Sequence, residues 1–340
     1  MRYSDELLDR FRQMADPAAD RLMESLGHPG QVGALIPRLV AVPAPVPGDL
    51  PGAVAAWLDQ HARLPGWADR ERLDRASRLW VRRGVTMAVI LGTASLAECY
   101  AAARGVKALT FSNRLQQDTY RRLRETVLWV NLLMLPGGLA DGGEGVRAAY
   151  KIRLMHAAVR HLIGKAGRWD GEALGVPLCQ EDLAGTLMTF AYTVLRSLEQ
   201  LGVPLSERDA ADYLHFWAVV GEMMGVRPEL LPESVAEARE LTEAIFRRQH
   251  GPSHEGKALM AAVLRSYGPG RFFPALIRHL SGDGVADLLE VPAGRRPGAV
   301  WAFRVLASVA DLGWWAWNGA RGAGRRLAGE FGARDQAWAP

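Results

Sequence analysis

One histidine stands among aliphatic residues in the segment 151–161, whose sequence is KIRLMHAAVRH. His156 lies on this strongly helical stretch, with Arg153 three residues before it and Arg160 four residues after it. A neutral imidazole on a rigid helix beside apolar side chains is how proteins present an axial ligand to haem iron, and arginines one turn away suit the haem propionates. A lone histidine on an apolar helix face is more often an ordinary core residue, so the spacing leaves both interpretations open.

The composition is that of a globular protein that can bury a large core. Of 340 residues, 49% are apolar and 23% are charged, and the net charge is +4, which are ordinary values for a globular chain. The two cysteines, Cys99 and Cys179, exclude a disulfide framework. Basic and acidic residues alternate along most of the chain, which argues against a nucleic-acid partner. The first residues are partly acidic and include no apolar leader, so we expect a cytoplasmic protein.

Hydrophobic periodicity predicts an all-α fold. Apolar residues recur at helical spacing, and Gly and Pro separate the runs. We expect a single globular domain with a central buried helix group around a haem pocket. Residues 28–53 hold six prolines and predict an extended wrapping segment. The predicted helices are 4–26, 52–64, 69–82, 85–104, 117–135, 144–164, 181–201, 207–225, 233–249, 255–266, 271–290 and 297–318.

Three segments follow from this pattern. Residues 1–53 form an N-terminal helix and the Pro-rich segment, 54–290 the helical core with the site, and 291–340 a basic, Trp-rich helical end. Because the stretch 299–318 reaches membrane-spanning length only by including Arg304 and Asp311, we expect the last helix to dock on the core. A peripheral membrane contact through its mixture of Trp and Arg is the alternative.

Six short strings occur in a characteristic order along the chain. In this order the sequence resembles the family of latex-clearing proteins and MpaB-type oxygenases over residues 64–232, and the strings at 153–161 and 180–186 are specific in combination. The strings are LPGWAD (64–69), SLAECY (95–100), RRLRET (121–126), RLMHAAVRH (153–161), PLCQEDLAGT (177–186) and YLHFW (213–217).

The resemblance implies an all-helical enzyme that holds haem b non-covalently. The family's proximal histidine matches His156, and its distal arginine and threonine match Arg122 and Thr126, which are four residues apart and share a helix face. A guanidinium and a hydroxyl there would donate hydrogen bonds to dioxygen. The implied reaction is an oxidation, with cleavage as one outcome, of a C=C bond in a hydrophobic isoprenoid-like or lipid-like substrate. Thr186 and Phe190 follow the QED string and are further candidates for the haem pocket, with ordinary helix packing as an equally good alternative.

Two departures from the family pattern concern the chemistry of the site. Latex-clearing proteins have a lysine just before the threonine, whereas this chain has Glu125. Glu125 is therefore a candidate base, and the alternative is that it faces solvent. The family's own general base is an upstream glutamate, for which Glu98 is the nearest match. Latex-clearing proteins are also exported, so the missing leader argues for a small intracellular substrate rather than rubber.

Two other function classes stay open at this point. One is a haem-binding or lipid-binding protein without turnover, which the change to Glu125 allows. The other is a helical interaction module without a cofactor, in which His156 is a core residue and Arg122 is one of several arginines on a solvated face.

Overall fold

The computed structural model describes residues 2–40, 50–111, 119–294 and 296–335, and it confirms the all-α fold. Within these ranges it contains no β-strand, only an isolated antiparallel bridge between Ala102 and His250. The helices are α1 (Asp5–Arg12), α2 (Pro17–Ser25), α3 (Pro29–Val40), α4 (Gly52–His61), α5 (Arg70–Ile90), α6 (Leu96–Ala101), α7 (Val106–Thr110), α8 (Thr119–Met134), α9 (Glu144–Ala166), α10 (Gly171–Leu174), α11 (Gln180–Phe190), α12 (Tyr192–Gln200), α13 (Glu207–Met223), α14 (Val235–Gln249), α15 (His254–Ser266), α16 (Phe272–Leu288) and α17 (Arg296–Asp335).

The core forms around two long helices. The helix α9 packs against α2, α3 and α8, and the helix α5 packs against α13 and α17. Aromatic side chains fill the space between them, and Trp80, Tyr213, Phe216 and Trp217 are fully buried. A smaller apolar cluster joins α6 to α15 and α16. The burial of these large rings gives the fold one continuous interior beside the predicted site.

Prolines divide the N-terminal region differently from the prediction. Ser4 caps α1 as expected, by accepting a hydrogen bond from Leu7 N (3.3 Å). The predicted single helix over 4–26 is wrong, because Pro17 starts a second helix instead of continuing the first. The predicted extended segment is also wrong at Pro29–Val40, which is helical with Pro37 inside it. The rest of that Pro-rich prediction, at 41–49, lies outside the described residues.

The predicted break near residue 84 does not occur. The helix α5 continues through Gly84 and passes by a π-helical turn (Leu91–Ser95) into α6. Gly84 instead gives room for a neighbour, since a Cβ there would lie 2.9 Å from Trp314 Nε1. The combined helix Arg70–Ala101 is long and apolar enough to cross a membrane, but 67% of its most apolar window is buried inside the protein, as in a core helix.

One predicted helix, 181–201, is in fact two. The chain leaves helical geometry at Ala191 (φ −93°, ψ −82°), so α11 and α12 meet at a bend. The bend turns the side chains of α12 toward α6, where Thr193 contacts Glu98.

The helix α17 docks on α5 with one face and exposes the other. Asp311 is buried and accepts hydrogen bonds from the Val85 and Thr86 amides (both 3.1 Å), and Phe303 and Ala307 are buried beside it. The opposite face carries large apolar side chains that remain exposed. They are Trp301, Val305, Leu306, Val309, Leu312 and Trp315.

Candidate functional site

A cavity of about 320 Å³ lies where α6, α8, α9, α11, α13 and α14 meet. Its volume is within the usual range for a small-molecule site, and its walls are mainly apolar. Of the eight site residues predicted from the sequence, the structure brings six to this cavity. They are Arg122, Glu125, Thr126, His156, Thr186 and Phe190.

His156 presents an imidazole that the protein itself does not use. It lies in the middle of α9 and borders the cavity. Burial, reinforced by the positive charge of Arg160, lowers its pKa to about 3, so the ring is neutral at physiological pH. Its Nδ1 is buried and has no hydrogen-bond partner among the described residues. Because the ring borders an apolar cavity, this unpaired nitrogen is available to a ligand bound there.

The helix α8 contributes an arginine and the hydroxyl of a threonine to the wall of the cavity. Arg122 borders the cavity, and burial by the surrounding protein lowers its pKa, with Tyr100 and Glu125 as its nearest opposing groups. Thr126 lies one turn later and donates its hydroxyl proton to the Arg122 carbonyl (3.0 Å). Glu125 accepts a hydrogen bond from Arg121 Nε (2.8 Å) and is one-third exposed. Arg122 is thus the better placed of these groups to donate to a ligand.

Aromatic rings from three helices form the apolar wall. Phe190 of α11 lies 5.0 Å from Trp217 of α13 and 6.3 Å from Trp129 of α8, measured between ring centroids. Thr186, one turn before Phe190, borders the same cavity and is accessible. This combination of flat apolar rings and a few polar groups suits a planar hydrophobic ligand.

Glu98 is the carboxyl group that the sequence could match only loosely to a base. It borders the cavity, and only 2% of the residue is exposed. Thr193 Oγ1 donates to Glu98 Oε2 (2.5 Å), and Arg196 Nη2 donates to Oε1. Burial raises the pKa of Glu98, and the two donors only partly oppose this. A carboxylate with a raised pKa is a stronger base than a solvated one.

Arg153 and Arg160 do not line the cavity. Arg153 holds Asp16 through Nε (2.5 Å) and Nη2 (2.8 Å), and its guanidinium lies 5.9 Å from the Trp57 ring. Arg160 is buried and donates to Asp20 Oδ1 (2.8 Å). Both arginines lie one helical turn from His156, as predicted. Their guanidiniums form ion pairs with Asp16 and Asp20 at the start of α2. Their predicted contact with the propionates has no geometric support.

The residues of the QED string anchor the N-terminal helix beside the site. Arg12 of α1 forms ion pairs with Asp182 and with Glu181, and Arg248 donates to Glu181 Oε1 (2.9 Å). Burial raises the pKa of Asp182 to about 6. Sequence reasoning missed Arg12, since a basic residue at the end of an amphipathic helix gives no signal that it will be buried.

The residues of the cavity fit a haem group better than a bare metal ion. Among the described residues no group of three or more His, Cys, Asp or Glu side chains could hold a metal by itself. Haem iron needs only one protein ligand besides the porphyrin nitrogens, and the unpaired imidazole of His156 beside aromatic walls would fit that role. On this chemistry His156 would hold the iron and the rings of Phe190, Trp129 and Trp217 would border the macrocycle.

Three comparisons place the chain among known proteins. A solved latex clearing protein, LCP in its closed state, has the same fold, with a TM-score of 0.75 and 24% identity over 88% of this chain and 84% of that one. The rubber oxygenase of Streptomyces sp. (strain K30) is 29% identical over 252 residues, which make up 74% of this chain and 61% of that protein. The profile of the catalytic domain described as "ER-bound oxygenase mpaB/B'/Rubber oxygenase" matches residues 75–312. The match includes every cavity residue that the sequence singled out, and the chain therefore belongs to this mpaB/rubber oxygenase family.

Proposed function

We propose that this protein is a haem b-dependent oxygenase that oxidises a C=C bond of a hydrophobic, isoprenoid-like substrate. The observation that carries the proposal is the neutral, unpaired imidazole of His156 at an apolar cavity that also holds Arg122. Family membership supports the oxygenase class, and the relative from Streptomyces is named a rubber oxygenase. When bound, haem supplies the redox-active iron that activates dioxygen.

Arg122 and Thr126 would orient dioxygen in the cavity. The Arg122 guanidinium has no ion pair or hydrogen bond within the described ranges, so its N–H groups are free to donate to an oxygen that gains negative charge. The Thr126 hydroxyl donates to the Arg122 carbonyl, and a rotation about χ1 would redirect it toward the ligand.

Glu98 would accept a proton from the substrate. It borders the cavity as a buried carboxyl group with a raised pKa, whereas Glu125 is paired with the largely exposed Arg121. A carboxylate close to the cavity whose pKa is raised above its usual range is a better base for an allylic proton than a solvated one. We therefore assign the base to Glu98 and leave Glu125 as a charged neighbour of Arg122.

The first experiment is an absorption spectrum of the purified chain before and after dithionite and carbon monoxide. We expect a Soret band that shifts with reduction and again with carbon monoxide, because His156 would be the protein group that holds the iron and carbon monoxide would bind as a further ligand. If the protein is helical but shows no Soret band after haem reconstitution, the proposed haem dependence is wrong and the helical interaction module is favoured.

Oxygen uptake separates an oxygenase from a haem or lipid carrier. Squalene and squalane are matched probes, since they share a carbon skeleton and only squalene has double bonds. We expect uptake with squalene and none with squalane. Haem binding without uptake for squalene or shorter polyprenols would favour the non-catalytic alternative.

We also propose a peripheral membrane contact through the exposed face of α17. Trp301, Leu306 and Leu312 on this face are each more than 60% exposed, and in the segment 298–318 the only charged residues are Arg304 and Asp311. The sequence then continues with Arg321, followed by further arginines, whose charge complements anionic lipids. The cytoplasmic location remains a prediction.

Vesicle sedimentation tests this contact. We expect binding to vesicles with anionic lipid, weakened in Trp301→Ser/Leu312→Ser, while a paired change at exposed charged positions, Arg239→Gln/Glu243→Gln, leaves binding unchanged. Equal sedimentation of the wild type and the α17 variant would contradict the proposal, and a concentration-dependent dimer lost in that variant would assign the face to a second copy of the chain.

A further inference from the structure

The carboxylate of Glu98 connects the cavity to a groove on the outer surface. Glu98 borders the cavity, whereas Arg196 lines the groove between α12 and the first turns of α13 and α14. Arg196 Nη2 donates to Glu98 Oε1, and 27% of the Arg196 side chain is exposed. One guanidinium therefore passes through the wall that separates the two spaces.

Thr193 fixes the second oxygen of the same carboxylate. Its hydroxyl is fully buried and donates to Glu98 Oε2 (2.5 Å). Thr193 and Arg196 are three residues apart on α12, so they lie on one face of this helix. The bend at Ala191 directs this face toward α6. Both oxygens of Glu98 are thus held from one helix, which sets the orientation of the carboxylate.

Polar atoms without partners lie at this ion pair and at the edge of the cavity. Arg196 Nε, His250 Nε2 and both side-chain polar atoms of Gln249 are buried and have no hydrogen-bond partner among the described residues. Gln249 borders the cavity, and His250 is close enough to Glu98 and Arg196 for both to affect its pKa, although burial is the larger effect and lowers it to about 4. Buried polar atoms without protein partners are where ordered water molecules lie.

A base inside an apolar cavity needs a second route for its proton. A bound hydrophobic substrate fills the cavity on one side of Glu98, so a proton taken from the substrate cannot leave in that direction. On the other side, Arg196 reaches the outer groove, and its own Nε is buried without a hydrogen-bond partner among the described residues. A purely structural ion pair would give no reason for so many unpaired polar atoms beside it.

We infer that Thr193 and Arg196 are positioning residues for Glu98, and that the hydrated cluster around Arg196 and Gln249 carries the proton from Glu98 to water in the outer groove. The step returns Glu98 to the carboxylate and delivers one proton to bulk water, with no change in oxidation state. The inference rests on the proposed function, in which Glu98 takes the proton of the substrate.

The pH dependence of squalene oxidation tests the positioning role. Burial raises the pKa of Glu98, and Arg196 and Thr193 lower it, so removal of either donor raises it further. Activity that requires the carboxylate falls as the pH falls through this pKa. We expect the acid limb of the pH–rate profile to move to higher pH in Arg196→Gln and by a smaller amount in Thr193→Val. At pH values below the limb the rate should fall by about tenfold for each unit by which the pKa rises, and at pH values above the limb it should recover.

Neighbouring groups that titrate need their own controls. On α6 itself and on the helices packed against it, these groups include Cys99, Tyr100, Lys107, Glu181, Asp182, His254, Glu255, Lys257, Arg278, His279, Asp283 and Asp287, and His250 directly follows α14. We expect His250→Gln to leave the acid limb in place. Arg239→Gln is the matched control for Arg196, since Arg239 lines the same groove and pairs only loosely with Glu243 (4.0 Å). An acid limb that does not move in Arg196→Gln and Thr193→Val would overturn the positioning role.

Infrared titration of the haem-free chain gives a readout that does not need turnover. The protonated carboxyl band that disappears in Glu98→Gln reports Glu98, and its midpoint should rise in Arg196→Gln and Thr193→Val. A midpoint that is the same in all three backgrounds contradicts the inference even if the enzyme is active. Failure of the wild type to bind haem or oxidise squalene counts against the proposed function instead, so the two failures are distinguishable.

The proton route has a separate test in Gln249→Leu. This change removes the two unpaired polar atoms and keeps the Glu98–Arg196 contact, so the acid limb should stay in place. We expect kcat to fall severalfold, KM to stay unchanged and the solvent deuterium isotope effect on kcat to rise, because proton release becomes slower. Unchanged kcat and isotope effect in this variant would overturn the route.

Discussion

Two faces of α9 treat their polar side chains in opposite ways. On the face toward α2, Arg153 and Arg160 hold the carboxylates of Asp16 and Asp20. On the cavity face, His156 has a buried ring nitrogen without a partner among the described residues. The polar groups of the first face form ion pairs within the protein, whereas the second face has one ring nitrogen without such a contact. The ion pairs of the first face stabilise the fold, whereas a buried ring nitrogen that borders a cavity without a partner is available to a ligand.

The comparison also shows why the spacing of the arginines could not by itself assign their partners. Arg153 and Arg160 each lie one turn from His156. Side chains at these two positions also lie at the edge of the helix that faces α2. The aspartates of α2 supply the negative charge that haem propionates were expected to supply. Sequence spacing fixes which residues share a helix face, but not which partner that face meets.

Loss of the His156 ring should have the largest effect. In His156→Ala we expect the Soret band to disappear while helicity and the free energy of unfolding stay within about 1 kcal/mol of the wild type, because the ring makes no hydrogen bond to lose. Absorbance of the reconstituted protein and urea denaturation measure the two quantities. The adjacent histidine variant His161→Ala is the control and should keep the band. A His156→Ala chain that binds haem as well as the wild type would show that the cavity face is ordinary core.

Removal of the free guanidinium should come next. In Arg122→Leu we expect oxygen uptake with squalene to fall by about 100-fold, the usual cost of losing one donor to a developing oxyanion. Haem content should stay constant, since His156 is untouched. Arg124→Leu is the matched control, because Arg124 is exposed on the same helix and does not border the cavity. Equal losses in both variants would point to folding rather than to the site.

The sequence predicted the fold class and the positions of most helices, but not their continuity. Apolar periodicity was enough for α8, α9 and α13, which are long and strongly patterned. Glycine and proline were less reliable: Gly84 lies inside a helix because Trp314 needs the space, and Pro37 lies inside α3. The break at Ala191 carries no local signal, since alanine favours a helix and only tertiary packing bends the chain there.

The site was predictable where residues share one helix. Arg122 with Thr126, and Thr186 with Phe190, are pairs at i and i+4, and each pair reaches the cavity together. Contacts between distant elements were not accessible in the same way. The ion pair between Glu98 and Arg196 joins residues that are 98 positions apart, and that between Arg12 and Asp182 residues that are 170 apart. No local rule of charge or spacing selects such partners.

The paired face of α9 should respond in stability rather than in chemistry. In Arg160→Leu we expect the free energy of unfolding to fall by about 2 to 3 kcal/mol, because Asp20 loses its partner in a largely buried position. Haem content should not change. Arg147→Leu is the control on the same helix, since its pair with Asp59 is exposed and exposed pairs contribute less than about 1 kcal/mol. Loss of haem from a stably folded Arg160→Leu chain would support the predicted contact of Arg160 with the haem propionates.

The smallest effect should come from a change of geometry at constant charge. Arg153 binds Asp16 through two nitrogens and lies over Trp57, and a lysine reproduces the charge but neither the forked contact nor the flat surface. In Arg153→Lys we expect the free energy of unfolding to fall by about 1 kcal/mol, with an unchanged Soret band and unchanged oxygen uptake. Urea denaturation beside the absorption spectrum measures this. An unchanged stability together with an altered haem spectrum in Arg153→Lys would show that Arg153 acts on the haem site. That result would contradict the assignment of this face of α9 to stability.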